Sequence, residues 1–252
     1  GQIKVKGIMN KILLKLITGI LFLGTFSFFS YTAFPQITDR SPSIKKTPNA
    51  LKINQNTNKN FSFTNYFSDF DKTLRNTSEG IFTEIHIDKY GKTNLTGYPE
   101  LPVNVKIVEV PIGAELSINI NNNKYKDHKL NELNINYPVY PHQPPVPKNG
   151  TNQQSFVIKP KVYQQDDLYP YDIAWFEELG IMRGVRLVRL FIAPLQYNPA
   201  KGILRIHSEI EAEISFKHPD ISKSSSLKRS TQSVYFEPFY KNTINHKDNG
   251  SK

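Results

Sequence analysis

The sequence predicts an all-β protein built as an antiparallel β-sandwich, and three observations carry that expectation. Apolar residues recur with period two in several stretches. The clearest is 203–216, where Ile206, Ser208, Ile210, Ala212, Ile214 and Phe216 share one face and Arg205, His207, Glu209, Glu211, Glu213 and Ser215 the other. The chain holds 16 Phe and 13 Tyr but only 2 Met, a choice of side chains that suits pleated surfaces. After residue 29 no amphipathic helix of ordinary length can be drawn, while short apolar runs and turn residues alternate, as in a sandwich. With 38 % hydrophobic residues in a chain of 252, against ~45–50 % for an ordinary globular chain, a modest core diluted by polar linkers is expected.

Residues 1–8 precede an internal Met9 and read as an upstream extension. Lys11 and Lys15 then flank the start of a mostly apolar run at 16–29. That run is shorter than the ~20 residues of a membrane span and has the size of a secretory signal core. Residues 1–33 are therefore expected to direct export, and the membrane is expected to matter only through this segment. Residues 34–58 are rich in Asn, Lys, Thr, Ser and Pro, too polar to offset their ordering entropy, and read as a flexible linker.

The sandwich is expected over 59–217. Phe61, Phe63, Tyr66 and Phe67 restart the apolar signal, residues 76–80 turn, and 81–90 form a strand with Ile85 and Ile87 on one face. Over 97–120 two strands meet at Pro111-Ile112-Gly113. Val103, Val105 and Ile107 alternate with Asn104 and Lys106, and Val108 then breaks phase as a bulge would. Leu116, Ile118 and Ile120 resume the alternation. Asn121-Asn122-Asn123 reads as a loop and 125–135 as a weak polar strand or hairpin. Pro138, Pro141, Pro144, Pro145 and Pro147 stand within ten residues and favour a stiff, extended, polyproline-like loop, excluded from helix and ladder. Residues 155–159 read as a short strand, 166–175 as a loop, 185–192 as a central strand, and 197–202 as a hairpin turn before the strand of 203–216. The expected core includes Val105, Ile107, Leu116, Ile118, Leu187, Leu190, Ile210 and Ile214. Residues 218–252 read as a polar tether containing Lys228-Arg229, with an aromatic cluster at 234–240 suited to docking on a following domain.

The chain has no cysteine, which excludes disulfides, thiolate metal sites and a cysteine nucleophile. Its six histidines show no metal-ligand spacing; His86 and His207 fall on polar strand faces and read as solvated. Asp166-Asp167 reads as a solvated loop, and Ser224-Ser225-Ser226 lacks a nucleophile-elbow pattern. No glycine-rich phosphate loop occurs. The net charge of +10 is spread along the chain without a basic stripe, so nucleic acid is a poor partner. No enzymatic activity, metal or cofactor is expected.

Gly97-Tyr98-Pro99-Glu100-Leu101-Pro102, Val110-Pro111-Ile112-Gly113-Ala114, Met182-Arg183-Gly184-Val185-Arg186 and Ile192-Ala193-Pro194-Leu195-Gln196-Tyr197-Asn198-Pro199 together resemble the propeptide domain of gingipain-type cysteine proteases. The resemblance covers roughly 59–217. It implies an exported prosegment that keeps such a protease latent and helps it fold, the protease domain following downstream or being encoded separately. Because gingipains cleave after Arg or Lys, the resemblance also implies a loop that sets a basic residue in the protease's specificity pocket. Lys148, held by Pro144, Pro145 and Pro147, stands at the matching place. Arg183 and Arg186 are candidates for docking on the protease or for structural roles, and Lys228-Arg229 for processing. The other reading of the same sandwich is a secreted binding module that holds carbohydrate or a surface partner on Tyr137, Tyr140 and Trp175.

Overall fold

A computed structural model describes residues 39–40, 49–145, 155–231 and 233–246. The expected export signal, most of the linker, and the loop tip with Pro147 and Lys148 lie outside the described residues. The strands run β1 (Asp39–Arg40), β2 (Ala50–Asn56), β3 (Asn60–Tyr66), β4 (Asp71–Thr77), β5 (Gly80–His86), β6 (Gly91–Lys92), β7 (Pro102–Val110), β8 (Glu115–Lys129), β9 (Ala174–Met182), β10 (Val185–Ile192), β11 (Leu195–Asn198) and β12 (Ile203–Lys217). Helical turns are few: a 3-10 turn at Leu130–Leu133, α1 (Pro160–Tyr163), α2 (Ile221–Thr231), a second 3-10 turn at Val234–Phe236 and α3 (Glu237–Lys241).

All strand-to-strand ladders are antiparallel. One sheet runs β6-β7-β10-β9. In the other, β12 pairs with β8 along one edge and with β11 and then β3 along the other, and β2 closes the far side. The two sheets meet over Val108, Val110, Val188, Leu190 and Ile192 from one and Phe61, Phe63, Ile210, Ala212, Ile214 and Phe216 from the other. This is the expected sandwich, with β10 central and β12 in the expected phase from Ile210 to Phe216, the phase breaking at His207 and Ser208. A ribbon of β1, β4 and β5 joins through Ile85 a second core with Leu101, Leu133, Val139, Leu195, Tyr197 and Leu204.

Where β7 departs from the expectation, the cause is burial on two faces rather than one. Strand β7 pairs with β10 without a register break from Val110↔Arg186 to Asn104↔Ile192, so Val108 needs no bulge. Its even positions face the sandwich core, where Asn104 is buried against Asn65 with an Nδ2···Oδ1 distance of 2.8 Å. On its odd face Val103 is buried, and Ile107 packs with Val185, Leu187 and Tyr240 beneath the C-terminal segment. Asn121 to Asn123 are not a loop; β8 passes straight through them, with irregularities in its register to β12 absorbing the phase change. Of the expected core, Leu187, Leu190, Ile210 and Ile214 are buried, while Leu116, Ile118 and Ile107 are half-buried at the margins, as is Val105.

Three stretches change character. Strand β2 lies within the stretch read as linker and pairs with β3. Residues 155–159 form no strand and lead into α1. The stretch read as tether carries α2, whose N-terminus is capped by Asp220, accepting from the Lys223 N–H at 2.8 Å. None of its side chains is buried, so no apolar stripe announces it.

Candidate functional site

The proline-rich segment is anchored from its first residues. Prolines lack the backbone N–H, but Tyr140 and His142 keep theirs, and the chain uses them. The Thr83 N–H of β5 donates to Pro138 O at 2.8 Å, and the Tyr140 N–H returns to Thr83 O at 2.8 Å. The Glu100 N–H donates to Tyr140 O (2.7 Å), the His142 N–H to Tyr98 O (2.8 Å) and the Gly97 N–H to His142 O (2.8 Å). Residues 137–142 thus pair on two sides, contrary to the expectation that prolines exclude them from pairing. The prolines occupy the positions where no donor is needed.

Both feet of the following loop reach the same turn. On the descending foot the Lys159 N–H donates to Gly97 O at 3.1 Å. Gly97 has φ +80°, and a Cβ there would meet Lys159 N at 3.2 Å, so both conformation and space call for glycine. The side chain of Gln143 joins the feet directly. Its Oε1 accepts from the Val157 N–H at 2.8 Å, while Nε2 donates to Val157 O at 2.8 Å and to Pro141 O at 2.9 Å. Phe156 packs between Phe82 and Tyr140, with centroids 5.3 and 5.9 Å away. Beside them Glu100 meets His142 Nδ1 at 2.7 Å and Lys92 Nζ at 2.5 Å. Pro144 is half-buried and Pro145 exposed.

The expected docking and processing residues gather elsewhere, around a groove of about 670 Å³ lined by Arg183, Arg186, Lys228 and Arg229 together with Glu109 and His246. Arg183 and Gly184 form the two-residue β9–β10 turn with φ of +44° and +73°, the pattern of a type I′ hairpin. Arg183 is exposed and its guanidinium lies 4.1 Å over the Phe236 ring. Arg186 is engaged inside the chain, forked onto Glu178 at 3.0 and 2.9 Å and donating to Ala114 O at 2.6 Å. Lys228, on α2, reaches Glu109 Oε2 at 3.0 Å, and Arg229 is exposed.

Sequence reasoning missed Glu109 as a hub. Its carboxylate also meets His246 Nδ1 at 2.7 Å and the Thr243 hydroxyl at 3.0 Å, and its backbone exchanges two bonds with the Asn245 amide at 2.8 and 2.7 Å. Burial pushes this carboxyl up, but the His246, Lys228 and Thr243 contacts together outweigh it and hold the group below its ordinary value. The aromatic cluster of 234–240 packs back on this chain, Tyr240 being buried against Val185 and Leu187.

The remaining candidates find partners. His207, read as solvated, is fully buried between Asn123 Oδ1 (2.7 Å) and Gln196 Oε1 (2.9 Å). Burial first, then the Arg205 charge, push it down to about 4. His86 lies 3.2 Å from Glu84. Asp166 pairs with Lys201 and Asn198, both at 2.8 Å. Ser224 accepts from the Ile112 N–H at 2.8 Å. Of the aromatics in the binding-module reading, Tyr140 is buried beside Phe82 and Phe156, Tyr137 is half-buried, and Trp175 stacks on Phe191 at 5.0 Å.

Fold and site together define a β-sandwich that holds two excursions of its chain, one at the proline-rich loop and one at the C-terminal segment. The family model described as Propeptide_C25 matches residues 39–244, and the chain belongs to that family, the propeptides of gingipain-type cysteine proteases. The matched region is a propeptide, not a catalytic domain. The chain is 28 % identical over 238 residues to Lys-gingipain of Porphyromonas gingivalis, covering 94 % of this chain and 13 % of that protein. A structure on the zymogenic latency of gingipain K from the same organism superposes with a TM-score of 0.63 at 26 % identity, covering 71 % of this chain and 98 % of that one. A second, in a complex of the pro- and mature domains of RgpB, gives 0.62 at 21 % identity, over 79 % and 97 % of the two chains, and shows the shared fold.

Proposed function

We propose that this chain is an exported prosegment that inhibits a gingipain-like cysteine protease and assists its folding, and that Lys148 is the anchor it sets in the protease's specificity pocket. The observation that carries the reading is the propeptide match over 39–244, which spans the proline-rich loop. The fixed feet of that loop support it. A loop tied at both ends loses less conformational freedom on binding than a free one, and a single basic side chain entering a desolvated acidic pocket acts as a hot spot.

The likeness to Lys-gingipain over 94 % of the chain favours a lysine-accepting partner. Arg183, exposed at the tip of the β9–β10 hairpin, is the better candidate for a docking contact, since Arg186 is committed to Glu178 and Ala114. Lys228-Arg229 is the proposed processing site, and cleavage there requires α2 to open first, because a protease binds an extended backbone.

The test is competition of the purified chain against the mature domain of the gingipain-like protease encoded with or near it. Lys148→Ala is expected to raise the inhibition constant tenfold or more, about 1.4–3 kcal/mol, and Lys148→Arg to retain less inhibition of a strict lysine enzyme than of an arginine-accepting one. Lys124→Ala and Lys126→Ala, on β8, serve as controls. Equal potency of wild type and Lys148→Ala would remove Lys148 from the mechanism.

A further inference from the structure

Resting on the reading that the proline-rich loop engages the protease, we propose that Gln143 is the positioning residue for that loop. Its one amide ties the ascending foot to the descending foot fourteen residues later and so sets how strongly the loop inhibits. The geometry is that of a strand partner built from a side chain. Gln143 satisfies both backbone groups of Val157, with Oε1 taking the N–H and Nε2 serving the carbonyl, each at 2.8 Å. The second Nε2 proton goes to Pro141 O at 2.9 Å, which fixes the amide's orientation through the foot it springs from. Few other side chains can do this. Asparagine is one methylene shorter, glutamate lacks both donors, and leucine has neither donor nor acceptor.

The position of this clamp gives it a functional consequence. The backbone contacts from Tyr98 and Gly97 to His142 and Lys159 tie each foot separately to the 97–98 turn, while Phe156 packs on Tyr140 across the feet. Among the described residues, hydrogen bonds cross the loop at two levels: at its base Tyr163 Oη donates to Val139 O at 2.7 Å, and nearest the tip Gln143 bonds both backbone groups of Val157. Without Gln143, each foot keeps its place on the turn and its ring and Tyr163 contacts, but the two backbones lose their direct tie at 143 and 157. Binding that needs one arrangement of the loop is weakened in proportion to the fraction of time the loop spends in it. The clamp is also neutral, so salt and mild acid leave it intact, unlike an ion pair.

Two measurements on the full chain test this. In the first, wild type, Gln143→Ala and Gln143→Asn are digested with trypsin under native conditions. Cleavage after Lys148 is expected to speed up roughly tenfold in both variants, while cleavage after Lys124 and Lys126 is unchanged. Equal rates after Lys148 would overturn the clamp, and a matching rise at Lys124 and Lys126 would show general unfolding instead, which also overturns it. Gln143→Asn keeps an amide at this position and covers the case in which Gln143→Ala fails to fold. The second measurement is a double-mutant cycle on the inhibition constant against the mature protease. Gln143→Ala is expected to weaken inhibition at least roughly fivefold with Lys148 present and not at all in the Lys148→Ala background. Equal loss in both backgrounds would reduce Gln143 to a structural role. If Lys148→Ala alone has no effect, the reading of Lys148 fails, and the trypsin rates still decide whether Gln143 holds the loop.

Discussion

The loop feet and the C-terminal segment pose the same problem and solve it with a different balance of neutral and charged contacts. Each must hold chain that leaves the sandwich. At the loop feet, the holding groups are mostly neutral, namely the Gln143 amide, backbone pairs from Gly97, Tyr98 and Glu100, and the Phe82–Tyr140–Phe156 rings, and the one ion cluster there, Glu100 with His142 and Lys92, supplements them. At the C-terminal segment, they converge on one carboxylate, Glu109, with Lys228, His246 and Thr243 around it. The difference teaches which excursion can be released. Neutral hydrogen bonds and packed rings respond weakly to acid and salt, whereas a charged hub is lost when its one carboxylate is protonated or its partners are cut away. A loop that must stay in place belongs on the first kind of anchor, and a segment carrying the proposed processing pair belongs on the second.

The strongest way to break this comparison is to add one methyl group on each side. At Gly184, φ is +73° and a Cβ would lie 2.5 Å from Leu227 O and 2.7 Å from Thr231 Oγ1. Gly184→Ala should therefore push α2 off the β9–β10 hairpin, at a cost of about 3 kcal/mol. Gly97→Ala meets Lys159 Cγ at 3.0 Å and Lys159 N at 3.2 Å, looser than the 2.5 Å approach to Leu227 O at Gly184, and should cost less, about 1–2 kcal/mol. Chemical denaturation of both variants checks the order, and a larger loss for Gly97→Ala would reverse it.

Acid titration sharpens the comparison, provided a third group is separated out. His207 has a folded pKa of about 4 against an ordinary 6.5, so its neutral form is favoured by folding. That stability is fully present above pH 6.5 and is lost as pH falls through 6.5 toward 4, by about 2–3 kcal/mol. His207→Gln should flatten the denaturation midpoint across this window. Glu109 titrates in a lower one. Its folded pKa lies below the ordinary 4.5, so its contribution is present above 4.5 and is lost as pH falls below it.

Glu109→Gln isolates the charged hub at neutral pH. It keeps the size but leaves Lys228 and His246 facing an amide, and should destabilise the C-terminal segment by about 2 kcal/mol. Hydrogen exchange should quicken at Ile244 and His246, whose N–H groups bond Ile107 O and Thr243 O, and stay unchanged at Tyr140 and His142. Equal acceleration at both places would mean that the two excursions are not held independently. The smallest effect is expected from Lys92→Ala. It removes one partner of Glu100 while His142 keeps the other, and should change stability by less than about 1 kcal/mol.

The strands that face solvent on one side were legible from alternation alone, as β12 shows from Ile210 to Phe216. Strands covered on both sides were misread for the same reason. Val108 follows Ile107 in sequence because each has its own cover, the opposite sheet and the C-terminal segment, and a one-dimensional pattern shows two covers only as a broken phase. Helix α2 was illegible because it buries no side chain. Its capping Asp220 was the available signal, and one short cap does not distinguish a helix from a turn. Gln143 carried no signal at all, since an amide between His142 and Pro144 looks like any polar loop residue.

By itself the sequence determined that this chain is a β-sandwich of the gingipain-type propeptide family without the means for thiol chemistry, because strand periodicity, the absence of cysteine and the spaced motifs are local properties of the chain. Only the tertiary structure decided which polar side chains act. Glu109, Gln143 and His207 differ from dozens of other polar residues solely in what the fold brings against them. A carboxylate, an amide and an imidazole acquire their roles through partners up to 137 positions away, and pairings at that distance are settled by sheet packing, which no local pattern encodes.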